Sequence, residues 1–153
     1  NSEYILGNLA YLSLGKKLKI IIKDQHTKSW YGGIVKSLGG VGIDRAQKND
    51  LVNFVAEQFK KEDFSLVITP EGTRSWVAKW RKGFYHMALA AKVDIVLAAG
   101  DFKRKAIFLG YKIPYERIAS ISYEELLKEI EHYYISNDIT PKIAANWNPN
   151  IAG

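Results

Sequence analysis

Residues 65–75 of this 153-residue chain read SLVITPEGTRS, and this stretch joins an apolar run to a polar turn. The run Ser65–Thr69 is short and rich in apolar and β-branched residues, which predicts a buried strand that ends at Pro70. Strands of this kind belong to parallel sheets covered by helices. Ligands of open α/β sheets bind beyond the carboxyl ends of the strands, so the turn that begins at Pro70 is the first candidate for a functional site.

Strands and helices alternate along the rest of the chain. Further strands are predicted at Leu18–Lys23, Val41–Ile43, Ile95–Ala99 and Ala106–Leu109. Helices are predicted at Tyr4–Leu14, Trp30–Leu38, Leu51–Phe59 and Gly83–Lys92, and a last helix at the capping box of Ser122 and Glu125. This alternation predicts an α/β fold, with a mainly parallel sheet and helices on both faces.

The net charge limits the class of partner, and the cysteine and histidine content limits the kind of metal site. Lysine and arginine outnumber the acidic residues by 22 to 16, and the net charge of +6 favours an anionic partner: a nucleic acid, an anionic lipid surface or a phosphorylated small molecule. No RNA-binding or zinc-finger motif accompanies the charge, so we expect no nucleic-acid partner. The chain has no cysteine and its three histidines lack metal-ligand spacing, so we expect no metal site.

The length predicts a single domain over residues 1–153, since domains run to roughly 100–200 residues. We expect residues 141–153 to form a loose tail. The longest apolar stretch, Tyr4–Gly15, is shorter than the roughly 20 residues that a membrane-spanning helix needs. The chain starts at Asn1 rather than at a methionine, and we expect its N-terminus to be truncated within an element.

Four consecutive residues of the polar turn have the chemistry of an anion site. Gly72 permits a tight turn, and Thr73 offers a hydroxyl. Arg74 presents a planar guanidinium that matches two phosphate oxygens, and Glu71 can hold that guanidinium or accept a hydrogen bond from a substrate hydroxyl. The same residues also fit a surface turn with a neutralised ion pair, which their spacing alone favours.

Two other groups of cations lie near predicted strand and helix ends. Arg45 follows a predicted strand, and Lys79, Arg81 and Lys82 precede the predicted helix that begins at Gly83. Cations at a helix N-terminus oppose the helix dipole, and a bound phosphate would relieve that conflict. A solvated basic face is the alternative interpretation of the second group.

Three blocks of the chain resemble the glycerophospholipid acyltransferases, which include the lysophosphatidic acid acyltransferases. Residues Ile68–Ser75 resemble the family's Phe-Pro-Glu-Gly-Thr-Arg-Ser block, and Gly40–Arg45 is similar to its Gly-x-x-x-x-Arg block. Trp80–Ala88 is similar to the Lys-Gly-x-x-x-x-Ala segment. The resemblance covers about Asn1–Gly100 and implies a glycerol-3-phosphate acyltransferase-like fold.

The resemblance implies transfer of a fatty acyl group from acyl-coenzyme A or acyl carrier protein to the hydroxyl of a lysophosphatidic-acid-like acceptor in phospholipid biosynthesis. It implies no cofactor beyond that acyl donor. Residues expected to bind the phosphorylated acceptor are Arg45, Glu71, Gly72, Thr73 and Arg74, together with Lys82. We expect a small bacterial form that is cytoplasmic and peripheral, acting on the anionic inner face of the membrane.

The family's chemistry uses a His-x4-Asp dyad, in which the histidine is the general base and the aspartate orients its ring. Family members often read His-Thr-Ser-Asn-x-Asp, and residues 1–4 align with the end of that pattern. Glu3 then occupies the aspartate position, and the histidine would lie upstream of Asn1. The fourth block also departs from the family's Val-Pro-Ile-x-Pro, because Val93–Leu97 contains neither proline.

Other functions remain open at this stage. The same blocks fit an acyltransferase for another lyso-lipid acceptor. Glu3 and the position of the histidine also fit a non-catalytic lipid- or phosphate-binding relative. A basic nucleic-acid-binding domain has the charge in its favour and no motif.

Overall fold

The computed structural model describes residues 17–23, 33, 39–43, 51–72, 76–139 and 151. The chain divides into two compact units, Asn1–Ile68 and Thr69–Gly153, and each is described by itself. The predicted helix at Tyr4–Leu14 lies outside the described residues, as does that at Trp30–Leu38 apart from Gly33, which is helical. The single domain and the loose tail stay predictions, although Ile151 is buried.

The first unit contains a parallel sheet of three strands in the order β2-β1-β3. Its strands are β1 at Leu18–Lys23, β2 at Gly40–Ile43 and β3 at Ser65–Val67. The register places Ile20 opposite Gly40, and Leu18 opposite Ser65. This part of the sheet confirms the predicted parallel arrangement. The predicted strand Ser65–Thr69 is too long by two residues, because the Thr69 carbonyl already accepts a turn hydrogen bond from Gly72.

Helix α1 spans Leu51–Lys61 and buries Val55 and Ala56, as its helical periodicity predicts. Beyond its end, the ring of Phe64 stacks on Phe59 with 4.2 Å between ring centroids. Among the described residues of the first unit, these side chains and the buried Leu18 supply apolar interior.

The second unit contains helix α2 at Gly83–Ala91, strands β4 at Ile95–Asp101 and β5 at Ala106–Ile113, helix α3 at Tyr115–Ser120 and helix α4 at Tyr123–Ser136. Both strands were predicted, and each is longer than predicted. They pair antiparallel, with Gly100 opposite Ile107. The expectation of a mainly parallel sheet is therefore wrong for these two strands, because the turn Phe102–Lys105 is too short for the dozen or more residues of a parallel crossover. The observed class is mixed α/β.

The core of the second unit lies between α4, α3 and the strand ends. Its most deeply buried apolar residues are Ile113, Ile118, Leu126, Leu127, Ile130 and Ile151. The predicted capping box starts α4: the Ser122 hydroxyl accepts a hydrogen bond from the Glu125 N–H, and the Glu125 carboxylate accepts one from the Ser122 N–H. This box fixes where α4 begins, and so where the side chains of its first turn lie.

The hairpin turn is held by a buried acid. Asp101 is 2% exposed, and its carboxylate accepts hydrogen bonds from the Arg104 backbone N–H at 2.7 Å and from the guanidinium at 3.0 Å. The Arg104 guanidinium also donates to the Asn137 carbonyl at the end of α4. Within the described parts of the chain, no helix is both long enough and apolar enough to cross a membrane.

Candidate functional site

A tight turn follows β3 in the chain. The Gly72 N–H donates to the Thr69 carbonyl at 3.1 Å, and Gly72 has φ +68°. This left-handed backbone conformation is costly for residues with a Cβ atom, which explains glycine at this position. The tight turn predicted at Gly72 is confirmed, and its role in binding stays a prediction.

The segment before α2 packs against this turn. The Arg81 N–H donates to the Pro70 carbonyl at 3.1 Å. The Arg81 side chain passes beside Gly72, where a Cβ atom would lie 3.1 Å from the guanidinium Nε. Two of the blocks recognised in the sequence, Ile68–Ser75 and Trp80–Ala88, therefore meet through their backbones and place a guanidinium next to the glycine.

Glu71 lies half-buried within the turn, and burial raises the pKa of its carboxyl. Glu71 lies close enough to Tyr134 of α4 for its negative charge to affect the pKa of the Tyr134 hydroxyl. Burial, together with the nearby Tyr133 and Glu71, raises the pKa of Tyr134 to about 12, so its hydroxyl stays protonated and donates to the Ala98 carbonyl at 3.1 Å. Glu71 thus has an environment that favours its neutral form more than water does.

The Lys82 side chain contacts the first turn of α4. Its ammonium lies 3.2 Å from a carboxylate oxygen of Glu124 and 4.8 Å from the centre of the Tyr123 ring. Its backbone is the N-cap of α2, a helix with no acidic residue in its first turn. The acid that balances Lys82 comes instead from a helix 42 residues further along the chain.

Trp80 is also held in place by residues of α4. The Tyr123 hydroxyl donates to the Trp80 carbonyl at 2.8 Å, and the Trp80 ring meets Tyr134 edge-on with 6.1 Å between ring centroids. The sequence does not predict Tyr123, Glu124 and Tyr134 as site residues, because no local pattern links a residue of α4 to a segment more than 40 residues away. The one related feature of the sequence is the excess of cations before Gly83, which calls for a nearby negative charge.

Several expected site residues lie outside the described part of the chain. These are Glu3, Arg45, Thr73 and Arg74, and their roles stay predictions. In the segments that the structure describes, no group of three histidine, cysteine, aspartate or glutamate side chains is placed to hold a metal ion.

Comparison with known protein families identifies what the two contacting blocks belong to. The family model described as "Acyltransferase" matches residues 4–99, which is more than half of the chain and includes both blocks. The chain belongs to the acyltransferase family. This is the family of glycerophospholipid acyltransferases such as the lysophosphatidic acid acyltransferases. Searches of curated proteins and of solved structures found no match.

The family match covers only part of the candidate site of this acyltransferase. The turn at Gly72 and the segment through Lys82 lie within the matched residues, whereas α4 lies beyond them. The contacts of Tyr123, Glu124 and Tyr134 with those blocks are therefore features that the family match does not assign.

Proposed function

We propose that this acyltransferase transfers a fatty acyl group from acyl-coenzyme A or acyl carrier protein to the hydroxyl of a lysophosphatidic-acid-like acceptor, in phospholipid biosynthesis. The observation that carries the proposal is the contact between the Gly72 turn and Arg81. It places a guanidinium against the turn of the most specific family block. Guanidinium groups are common ligands of phosphate oxygens in proteins, because their planar N–H groups match two oxygens at once.

The chemical step we propose is direct transfer with no covalent acyl-enzyme. The histidine of a His/acid dyad, which the family pattern places before Asn1, takes the proton of the acceptor hydroxyl. The oxygen attacks the thioester carbonyl, the new C–O ester bond forms, and the C–S bond breaks. The thiolate leaves and takes up the proton. A histidine pKa of about 6.5 suits this base work at neutral pH, and Glu3 is the acid that orients the ring.

The binding step we propose uses residues of the three family blocks. The proposed ligands of the acceptor phosphate are Arg45, Thr73 and Arg74, with Glu71, Gly72 and Lys82 as further binding residues. Arg81 adds the guanidinium that lies beside Gly72. The net charge of +6 supports an anionic acceptor and an anionic membrane surface, on which the protein acts as a peripheral enzyme on the cytoplasmic side.

Arg74→Ala tests the binding step. Loss of a charge-assisted hydrogen bond should weaken binding of lysophosphatidic acid roughly tenfold or more, with little change in thermal stability. Arg117→Ala is the matched control, since it removes an equally charged side chain whose guanidinium pairs with Glu129 on the surface. Acceptor affinity equal to that of the parent chain would contradict the phosphate role of Arg74.

The transfer step is tested by thiol release from acyl-coenzyme A in the presence of lysophosphatidic acid. The 153-residue chain is compared with a version that is extended upstream of Asn1 through the histidine position of the family pattern. We expect activity in the extended version, with acylated product and free thiol formed in equal amounts. Absence of thiol release, with acceptor binding intact, would contradict the transfer.

A non-catalytic lipid- or phosphate-binding relative is the second candidate. Glu3 favours it, because its extra methylene changes the reach from the carboxylate to a histidine ring. The same assay separates the two, since a binding relative retains lysophosphatidic acid without consuming thioester. An acyltransferase for a different lyso-lipid would instead show thiol release with another acceptor.

A further inference from the structure

The start of α4 and the residue before its N-cap are hydrogen-bonded to α2 and to the segment that precedes α2. The Tyr123 hydroxyl donates to the Trp80 carbonyl at 2.8 Å, and the Tyr85 hydroxyl donates to the Ile121 carbonyl at 3.1 Å. Tyr123 is only 4% exposed, so its ring is a fixed wall beside Lys82. The first turn of α4 is thereby held next to a residue of the proposed acceptor site.

Glu124 uses this position to neutralise Lys82. The two side chains are each 55% exposed, and the ammonium and carboxylate lie 3.2 Å apart. Ion pairs with this exposure are weak, because water solvates both partners after they separate. The Lys82–Glu124 pair can therefore open without leaving a charge buried.

A second interaction stabilises the Glu124 carboxylate when the Lys82 ammonium moves away from it. The pKa of its carboxyl is lowered first by a hydrogen bond from its own backbone N–H at the start of α4, and then by Lys82 and Lys79. Backbone N–H groups at a helix start favour a carboxylate without help from a lysine. The cost of transferring Lys82 to another anion is correspondingly small.

We propose that Glu124 is the resting counterion of Lys82 and a specificity-determining residue, which an acidic acceptor must displace to reach that ammonium. This inference rests on the proposed function. A phosphate monoester carries close to two negative charges and three acceptor oxygens, so it displaces a single carboxylate. A neutral acceptor offers no such exchange, and Glu124 therefore makes occupancy of the site depend on the acceptor's charge.

The variant Glu124→Gln tests the inference, because it keeps the side-chain size and removes the charge. We expect lysophosphatidic acid to bind about two- to fivefold more tightly, the range of an exposed ion pair. Binding of a monoacylglycerol, which lacks the phosphate, should not change. The readout is acceptor affinity and KM at low salt, with thermal unfolding measured in parallel.

Glu57→Gln is the matched control. Glu57 is also 55% exposed and pairs with one lysine, Lys60, so the variant makes the same change in net charge in the first unit. We expect no change in acceptor affinity. In a Lys82→Ala background, Glu124→Gln should lose its effect, because the ammonium over which carboxylate and phosphate compete is gone.

Three results would overturn the inference while leaving the proposed function intact. They are unchanged affinity in Glu124→Gln, an equal gain in Glu57→Gln, and a gain that persists without Lys82. A parent chain that does not bind lysophosphatidic acid would instead overturn the proposed function, and this inference with it.

Discussion

Replacing Gly72 by alanine tests whether the geometry of the turn matters to both stability and acyl transfer. Gly72 has φ +68°, and the new Cβ atom would lie 3.1 Å from Arg81 Nε. The Arg81 side chain is long and can move by a few tenths of an ångström. The backbone cannot relax so easily, because the Gly72 N–H is bonded to Thr69 and the Arg81 N–H is bonded to Pro70.

The expected magnitude follows from two opposing effects. A residue with a Cβ atom in the left-handed region costs about 1–2 kcal/mol. Replacing glycine also restricts the unfolded chain, which returns about 0.4–1 kcal/mol. The net loss in the free energy of unfolding is therefore about 1 kcal/mol, which corresponds to a fall in Tm of roughly 2–4 °C for a chain of this size.

Gly83→Ala provides the comparison within the same site. No atom lies within 4 Å of the position that its Cβ would take, and Gly83 begins helix α2, where alanine is the better helix former. We expect this variant to be as stable as the parent chain or slightly more so. Thermal and urea unfolding followed by circular dichroism give the stabilities.

The functional prediction is that Gly72→Ala raises the KM for lysophosphatidic acid while Gly83→Ala leaves it unchanged, because only the first variant strains the turn that contacts Arg81. The reasoning is refuted if Gly72→Ala melts at the parent's temperature. It is equally refuted if Gly83→Ala loses as much stability, since space and backbone conformation would then not explain the difference.

Three further predictions concern the second unit. Burial raises the pKa of the Glu71 carboxyl, so the stability of the folded state is greatest when this carboxyl is protonated and falls as pH rises through that pKa. The glutamine of Glu71→Gln cannot ionise, so this variant should be more stable than the parent chain at pH 7. In urea unfolding the gain should disappear near pH 4, where the parent carboxyl is protonated. Tyr123→Phe should lose about 0.5–1.5 kcal/mol of unfolding free energy, the net value of its hydrogen bond to Trp80. Leu127→Ala should cost about 2–5 kcal/mol because Leu127 is fully buried, whereas Ile135→Ala at an exposed position of the same helix should stay within about 0.5 kcal/mol of the parent in the same assay.

The sequence predicted elements whose signals are local. Apolar runs located strand β1 and strand β2, helical periodicity located α1, and the Ser122 and Glu125 pair located the start of α4. Helix α3 was missed because six residues are too few for a periodic pattern. Local signals report which conformation a segment prefers, and they need no knowledge of the neighbouring segments.

Strand pairing was predicted less well than strand position. The apolar composition of β4 and β5 is typical of a parallel sheet, yet the two strands form an antiparallel hairpin. The length of the turn between them decides the pairing, since four residues are too few for a crossover between parallel strands. Composition describes how deeply a strand is buried, whereas pairing depends on how far the chain travels between strands.

The sequence by itself determined the family, because the blocks around Gly72 and Lys82 are contiguous and keep their order along the chain. It also determined the tight turn, because a glycine after a proline-terminated strand tolerates a positive φ. Only the tertiary structure decided that Arg81 meets this turn and that Glu124 neutralises Lys82. The second contact joins side chains 42 residues apart, and such pairs are set by how α2 and α4 pack around a shared core rather than by any pattern within either segment.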